Sequence, residues 1–471
     1  MADLSVFLPK ACWPLLGQAL KGTPEQRSVE GSVLFCDVAG FTPLTEALQV
    51  LGREGAEELT RLLNGYFTCM VGIAEEEGGD VLRFGGDAMA VLFAGKSRAA
   101  AAHVAAKMMA AMPDFAALPT RAGVFGLSMK IGAAHGVVYL GMLADGAGGC
   151  DYYAAGAPLD EAAEAEHRAV PGLVVCHPSF VESSADTLSL EPLADGFAKL
   201  LGGPRVTGHS GGTPPRPSPE QVAKAVPTYL ADRSGKVRRG EHRGVAVLFV
   251  SLGGLWDASA PAEGHSRLQQ SFKTLWATAR RYGGIVNKLD LGDKGAKAIL
   301  LFGTPYALEQ KEEMAVRAAM ELASSRDFPK GVRLAVGATS AHLFAGPIGS
   351  VARQEYTVMG DGINLAARLM QQAAPGQILC DLRCLRAASG AIQFKALPSI
   401  TVKGKRHPVL VAEPVGESEA EHGGGAALFE REVLCERLCA FLDGTGEKPL
   451  ALEGESGLGK TALLDWAMAR A

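Results

Sequence analysis

The 471-residue sequence predicts an α+β protein of two related domains, each an antiparallel sheet with helices on one face. Three observations predict it, each made twice at a spacing of roughly 200 residues, too long a period for a solenoid. First, Val33-Leu34-Phe35-Cys36-Asp37-Val38-Ala39-Gly40-Phe41, an apolar strand entering a glycine turn, is echoed by Val247-Leu248-Phe249-Val250-Ser251-Leu252-Gly253-Gly254-Leu255. Second, residues 81–93 and 287–302 each read as a strand, a Gly-Asp turn and a second strand. Third, Asp151-Tyr152-Tyr153-Ala154-Ala155-Gly156 is echoed by Glu355-Tyr356-Thr357-Val358-Met359-Gly360, each leading into a helical pattern.

Taken in order, residues 1–20 carry Lys10, Cys12, Trp13 and Pro14 and lack a basic segment followed by a long apolar core. They read as a short amphipathic lead-in, not a signal peptide. The first domain, residues 1–200, follows as strand, helix, hairpin, helix, strand (Met129-Lys130-Ile131-Gly132) and a final strand-turn-helix. Residues 201–244 are rich in Gly, Pro, Ser and Arg and read as a linker, with Val226 to Leu230 apolar enough to dock on a neighbour. The second domain, residues 245–416, repeats the order, Leu334-Ala335-Val336-Gly337 matching residues 129–132. A shorter linker from Glu417 to Gly425 precedes a third unit that starts at residue 426.

Composition narrows the function classes. Hydrophobic residues at 48% and charged residues at 21% suit packed domains. A formal charge of −5 gives no general attraction to nucleic acid or an anionic membrane, so any phosphate site must be local. No apolar run approaches the about 18 residues of a membrane helix. The expectation is a cytoplasmic protein with neither nucleic-acid nor membrane partners. The nine cysteines are scattered; Cys380 with Cys384 and Cys435 with Cys439 lack a second ligand pair at zinc-finger spacing and read as free thiols.

Chemistry concentrates at the repeated motifs. Asp37 ends one strand and Asp87 sits at the tip of the hairpin expected beside it, about 4.8 Å away strand to strand. Two neighbouring carboxylates can chelate divalent cations. The turn through Gly40 and Phe41 leads into a helix with Thr42 as N-cap and Pro43 at the first helical position, leaving backbone N–H groups to cradle phosphates. In the second copy Ser251 replaces Asp37, so its metal site is incomplete. In exchange, Asn364 and Arg368 stand at i, i+4 on one helical face, where the first copy has Asp160 and Glu164. Two acids there would repel a triphosphate, so each copy carries half of a site. In the third unit, Gly454-Glu455-Ser456-Gly457-Leu458-Gly459-Lys460-Thr461 is a full phosphate loop after an apolar run, and Gly454, Gly459, Lys460 and Thr461 are its signature positions.

The stretches FCDVAGFT, RFGGDAMAVLF and YTVMGDGINLAARLM resemble those of class III adenylyl cyclases. The likeness is strongest to the soluble, bicarbonate-responsive type with tandem cyclase domains and covers about residues 28 to 415. The resemblance implies two ferredoxin-like cyclase domains paired as an intramolecular pseudo-heterodimer, monomeric, with the third unit beginning a P-loop ATPase region. It implies that Asp37 and Asp87, assisted by the Val38 carbonyl, hold two Mg²⁺ (or Mn²⁺) ions. Asn364 would orient the ribose, and Arg368 would stabilise charge at the α-phosphate. Gly40, Phe41, Thr42, Lys130 and Lys403 would hold the phosphates. Lys294, in the turn Asp293-Lys294-Gly295, and Thr357 would read adenine, with Lys288 as the other candidate lysine; the match favours ATP as substrate and cyclic AMP as product. Arg83 stands where a lysine binds bicarbonate in the soluble type, but Ala163 replaces the partner arginine, Arg168 lying five residues on. An anion regulator at Arg83 is therefore an expectation resting on one residue. Phe84-Gly85-Gly86-Asp87 also matches the diguanylate cyclase signature, although Ala88 and Met89 follow in place of Glu and Phe. A guanylyl or diguanylate cyclase, or a nucleotide-sensing module controlling a C-terminal ATPase, are the alternative functions.

Overall fold

The computed structural model describes residues 3–16, 26–86, 88–95, 98–182, 188–203, 214–231, 240–292, 295–402, 408–418 and 432–443, with Leu463 and Ala467. The chain divides into two compact units, Met1–Gly416 and Glu417–Ala471. In the second unit, the helix Glu432–Leu442 packs Leu438 against Leu463 and Ala467.

The first domain supplies β1 (Gln26–Ala39), α1 (Phe41–Gln49), α2 (Gly52–Glu76), β2 (Asp80–Gly85), β3 (Ala88–Ala94), α3 (Arg98–Ala111), β4 (Leu118–Thr120), β5 (Gly123–Phe125), β6 (Ser128–Ala144), β7 (Cys150–Ala155), α4 (Ala157–Arg168), β8 (Val174–Cys176), β9 (Ser189–Pro192) and β10 (Ala198–Gly202). Its main sheet runs β2-β3-β1-β6-β8-β10-β9, with β7 on β6. The second domain repeats the plan with β11 (Glu241–Gly253), α5 (Pro261–Arg281), β12 (Ile285–Gly292), β13 (Gly295–Phe302), α6 (Lys311–Ser324), β14 (Arg333–Gly349), β15 (Gln354–Met359), α7 (Asp361–Gln372), β16 (Ile378–Asp381), β17 (Ile392–Ile400) and β18 (Val409–Glu417). Its sheet order is β12-β13-β11-β14-β16-β18-β17, with β15 on β14.

Two features differ from a purely antiparallel sheet with helices on one face. β6 pairs parallel with β8, and β14 with β16, because α4 and α7 cross over between the paired strands. Those helices therefore lie on the opposite face from α2 and α3. Alternation along β1 makes this visible: Leu34, Cys36 and Val38 pack with α2 and α3, whereas Val33 and Phe35 face the domain junction. Gly132 and Gly337 permit the crossing. A Cβ on either would overlap a carbonyl oxygen, of Ala162 in α4 or Ala366 in α7.

The two domains share one apolar core, in which Val33 and Val138 of the first are contiguous with Val247 and Leu275 of the second. Polar links cross the same junction in mirrored fashion. Gln49 donates to the His342 carbonyl at 3.2 Å, and Gln269 accepts from the Ala144 N–H at 3.2 Å. The lead-in forms two 3₁₀ turns, Leu4–Phe7 and Lys10–Leu15, whose Leu8, Cys12 and Leu15 are buried. Asp80 accepts the N–H groups of Lys10 and Ala11 at 3.1 and 2.6 Å. Within the Pro/Gly-rich segment, Val226, Tyr229 and Leu230 are buried.

Candidate active site at the domain junction

Strand register makes the two copies comparable residue by residue. Both hairpins carry a β-bulge at the same place: Val81 and Arg83 of β2 face consecutive residues of β3, and Val286 and Lys288 of β12 face consecutive residues of β13. Lys288 thus takes the position of Arg83, and the pair Asp290–Lys297 takes that of Gly85–Ala88. Bulges beside a site re-aim a side chain. This one sets Lys288 into a cavity between the domains.

That cavity, about 180 Å³, is lined by Phe41, Thr42, Gly85 and Gly86 from the first domain and by Lys288, Thr357 and Asn364, among others, from the second. Gly40, at φ +112°, turns the chain so that α1 begins at Phe41. Thr42 is therefore inside the first turn and is not the N-cap, and Pro43 is the third helical residue. The early start has a chemical consequence. Pro43 has no N–H and the Leu44 N–H bonds the Gly40 carbonyl at 3.3 Å, so the remaining donors of this turn are Phe41 and Thr42, neither bonded to a described residue. Arg368 follows Asn364 by one turn of α7, half-buried, and no described side chain is paired with it.

A second cavity, about 420 Å³, meets the first at Gly85, Asp290 and Lys297 and is lined by Asp37, Arg83, Ala163, Lys130 and Glu166 among others. Asp37 and Lys130 are register partners on β1 and β6, 3.7 Å apart as an ion pair, and the Asp37 side chain is 31% exposed. Lys130 also pairs with Glu166 of α4, which is buried. Burial pushes the Glu166 carboxyl above its ordinary range, Lys130 opposing and Asp37 adding to the rise. Glu166 is a site residue that sequence reasoning missed; a lone acid on an apolar helix face was the available signal.

Between the cavities lies a buried ionic junction with approximate two-fold symmetry. Arg83 bonds Asp151 at 3.2 Å and the Leu289 carbonyl of the other domain at 3.1 Å, and Asp151 accepts the Leu289 N–H at 2.8 Å. In the mirror arrangement, Lys288 bonds Glu355 at 3.3 Å and the Phe84 carbonyl at 2.7 Å, and Glu355 accepts the Phe84 N–H at 3.3 Å. Arg353 spans the junction, donating to Glu355 and to the Val81 and Leu82 carbonyls at 2.8 to 2.9 Å. Burial works against the Glu355 charge, but Lys288, Arg353 and Arg83, with the Tyr152 hydroxyl, hold its pKa down to about 2. The anion site expected at Arg83 meets an arginine already engaged, its guanidinium also lying 4.0 Å over the Tyr152 ring. Arg168 pairs with Asp195 at 2.9 Å and Glu164 at 3.2 Å.

Asp87, Lys294 and Lys403, and the phosphate-loop residues Gly454, Gly459, Lys460 and Thr461, lie outside the described residues. Val38 is buried, its side chain turned to α2 and α3. None of the described helices is long and apolar enough to cross a membrane.

Two sheets of one topology, with unlike residues of both domains lining one cavity, define a tandem arrangement of paired domains. Residues 23–187 and 237–412 match the model of the adenylate and guanylate cyclase catalytic domain, and the chain belongs to that family. It is similar to adenylate cyclase type 10 of Rattus norvegicus, 25% identical over 503 aligned residues that cover 94% of this chain and 31% of the relative. For the Homo sapiens protein of the same name the figures are 24%, 92% and 30%. The chain thus spans under a third of the length of these relatives. Among solved structures, a class III adenylyl cyclase-like ATP-binding protein from Pseudomonas aeruginosa has the same fold, with TM-score 0.54 at 12% identity over 78% of this chain and 86% of that one.

Proposed function

We propose that this chain is an adenylyl cyclase, converting ATP to 3′,5′-cyclic AMP and pyrophosphate in a site shared by its two domains. The observation that carries the reading is the unlike lining of one cavity: the helix-start residues Phe41 and Thr42 on one side, Lys288, Thr357 and Asn364 on the other. Thr357 and Lys288 provide an acceptor and a donor matched to the adenine 6-amino group and N1. Lys288 is taken as the base donor because it lines the cavity. Asn364 orients the ribose, and Arg368 meets charge growing on the α-phosphate oxygens, rewarding the transition state more than the ground state. Lys130 and Lys403 hold the outer phosphates, Lys130 by exchanging Glu166 for phosphate oxygens.

The residues present fit a divalent metal. Asp37 is a partly exposed carboxylate beside the Gly85–Gly86 turn that leads to Asp87, an oxygen donor set suited to Mg²⁺ or Mn²⁺. Asp37, Asp87 and the Val38 carbonyl would hold two such ions, which supply charge neutralisation and a more acidic ribose 3′-hydroxyl. Arg83 serves the domain junction in this reading, so bicarbonate is not needed for basal turnover. The test is to incubate the protein with ATP or GTP and Mg²⁺ or Mn²⁺ and identify products by mass. Cyclic AMP is expected from ATP, lost in Asp37→Ala. Bound but unconverted ATP would instead mark a nucleotide sensor, the reading favoured by the Lys130–Glu166 pair.

A further inference from the structure

We propose that Lys297 is a further polyphosphate-binding residue, meeting the β- and γ-phosphates of the nucleotide where the two cavities join. The inference rests on the reading of the junction as a nucleotide site. Among the described residues, Gly85, Asp290 and Lys297 line both cavities. A nucleotide with its base at Lys288 and Thr357 in the first cavity, and its outer phosphates at Lys130 in the second, passes this seam. Gly85 offers it no side chain, and Asp290 repels it. Lys297 is the cation of the three.

Register explains how a cation comes to stand there. Lys297 of β13 is the partner of Ser251 on β11 and of Asp290 on β12. Cross-strand partners share a face of the sheet, and Ser251 takes the position that Asp37 holds in the first copy. At the matching hairpin positions the first copy has Gly85 and Ala88, neither of them charged. The second copy has thus lost an acid and gained a lysine on the strand beside it. Lys297 pairs with Asp290 at 3.8 Å, beyond hydrogen-bond reach, and both side chains are partly exposed. A loose pair of this kind contributes little, so the lysine can exchange one carboxylate for the denser charge of a polyphosphate. An ammonium suits the task, being a point charge with three donors on a flexible stem. Asp290 is then the resting counter-ion, and removing each member of the pair has the opposite effect.

Isothermal titration calorimetry with pyrophosphate and with cyclic AMP, each in the presence of Mg²⁺, tests this on wild type, Lys297→Met and Asp290→Asn. Lys297→Met keeps the stem and removes the charge. It is expected to weaken pyrophosphate binding about tenfold or more, the worth of one hydrogen bond to a charged group. Cyclic AMP, which lacks the outer phosphates, should bind within about twofold of wild type in both variants. Asp290→Asn frees the lysine and should tighten pyrophosphate binding by about threefold, the worth of a loose, partly exposed pair. Unchanged pyrophosphate affinity in Lys297→Met would overturn the inference, as would an equal loss for cyclic AMP. Weaker pyrophosphate binding in both variants overturns it too, marking the pair as structural, and so does a wild type that binds no pyrophosphate. If Lys297→Met fails to melt cooperatively, Lys297→Gln is read for the same affinities and the same outcomes. Product analysis on wild type separates the two layers. Shifted pyrophosphate binding with no cyclic AMP made from ATP overturns the cyclase reading and supports the phosphate contact. Cyclic AMP made from ATP, with no shift in the variants, overturns this inference alone.

Discussion

Glu355 and Glu166 are both buried carboxylates beside a lysine, yet their environments drive them in opposite directions. Glu166 has Lys130 on one side and Asp37 adding like charge, and its pKa is raised. Glu355 has Lys288, Arg353 and Arg83 around it, and its pKa falls from 4.5 to about 2. A depressed carboxylate pKa contributes stability that is complete above the unfolded value and lost as pH falls through the folded one. The contribution of Glu355, on the order of 3 kcal/mol at about 1.4 kcal/mol per pH unit, is therefore full above about pH 4.5 and disappears toward pH 2. The gap in thermal stability between wild type and Glu355→Gln should be flat from pH 8 to about 5 and close on further acidification. A gap that widened below pH 4.5 would contradict the charge assignment.

Two glycine-bearing strands decide where the crossover helices α4 and α7 lie. Asn364 and Arg368 are carried by α7, which rests directly on β14 at Gly337. A side chain there must displace the Ala366 carbonyl, and overpacking of this kind costs about 1–3 kcal/mol. Gly337→Val is expected to lower the melting temperature by several degrees and, if the arginine acts on the transition state as proposed, to reduce kcat more than it raises KM. Gly132 plays the same part under α4, which carries Asp160 and Glu164 and no predicted substrate contact. Gly132→Val should cost similar stability, so comparing the two variants at matched stability isolates the effect on the site.

On the scale of the molecule, the two domains are held by a shared apolar core and by the ionic junction, so the site is assembled by docking rather than by a single sheet. A chain interrupted between residues 231 and 240 keeps the lead-in and the docked linker helices with the first domain and Arg353 with the second. Residues 1–231 mixed with 240–416 are expected to cyclise ATP, and neither piece alone. Arg353→Ala strips the junction of a charge that Glu355 needs, a loss of about 3–5 kcal/mol for a broken buried pair. It should weaken the reconstituted mixture far more than the intact chain, where the linker keeps the local concentration high. Full activity of residues 240–416 by themselves would exclude a shared site.

Much of this was legible in the sequence because duplication compares the chain with itself. Aligning residues 33–41 with 247–255 exposes Ser251 against Asp37, and aligning the last strand-turn-helix exposes Asn364 and Arg368 against Asp160 and Glu164. Local pattern suffices there, since strand alternation and a glycine turn are short-range properties of the chain. That Lys288 lines the cavity was a different matter. The bulge at Asn287 shifts the register of β12 against β13 by one residue, and register is a property of two strands paired through hydrogen bonds, not of either sequence. The same holds for Arg83, which as a sequence position offered an anion site. The structure surrounds it with Asp151 and the Leu289 carbonyl, the latter 206 residues away along the chain. The duplicated pattern by itself determined that two complementary halves exist. Only tertiary packing decided which charges are spent on holding the halves together and which remain for a substrate, because a buried charge must be paired and its partners are chosen by the fold.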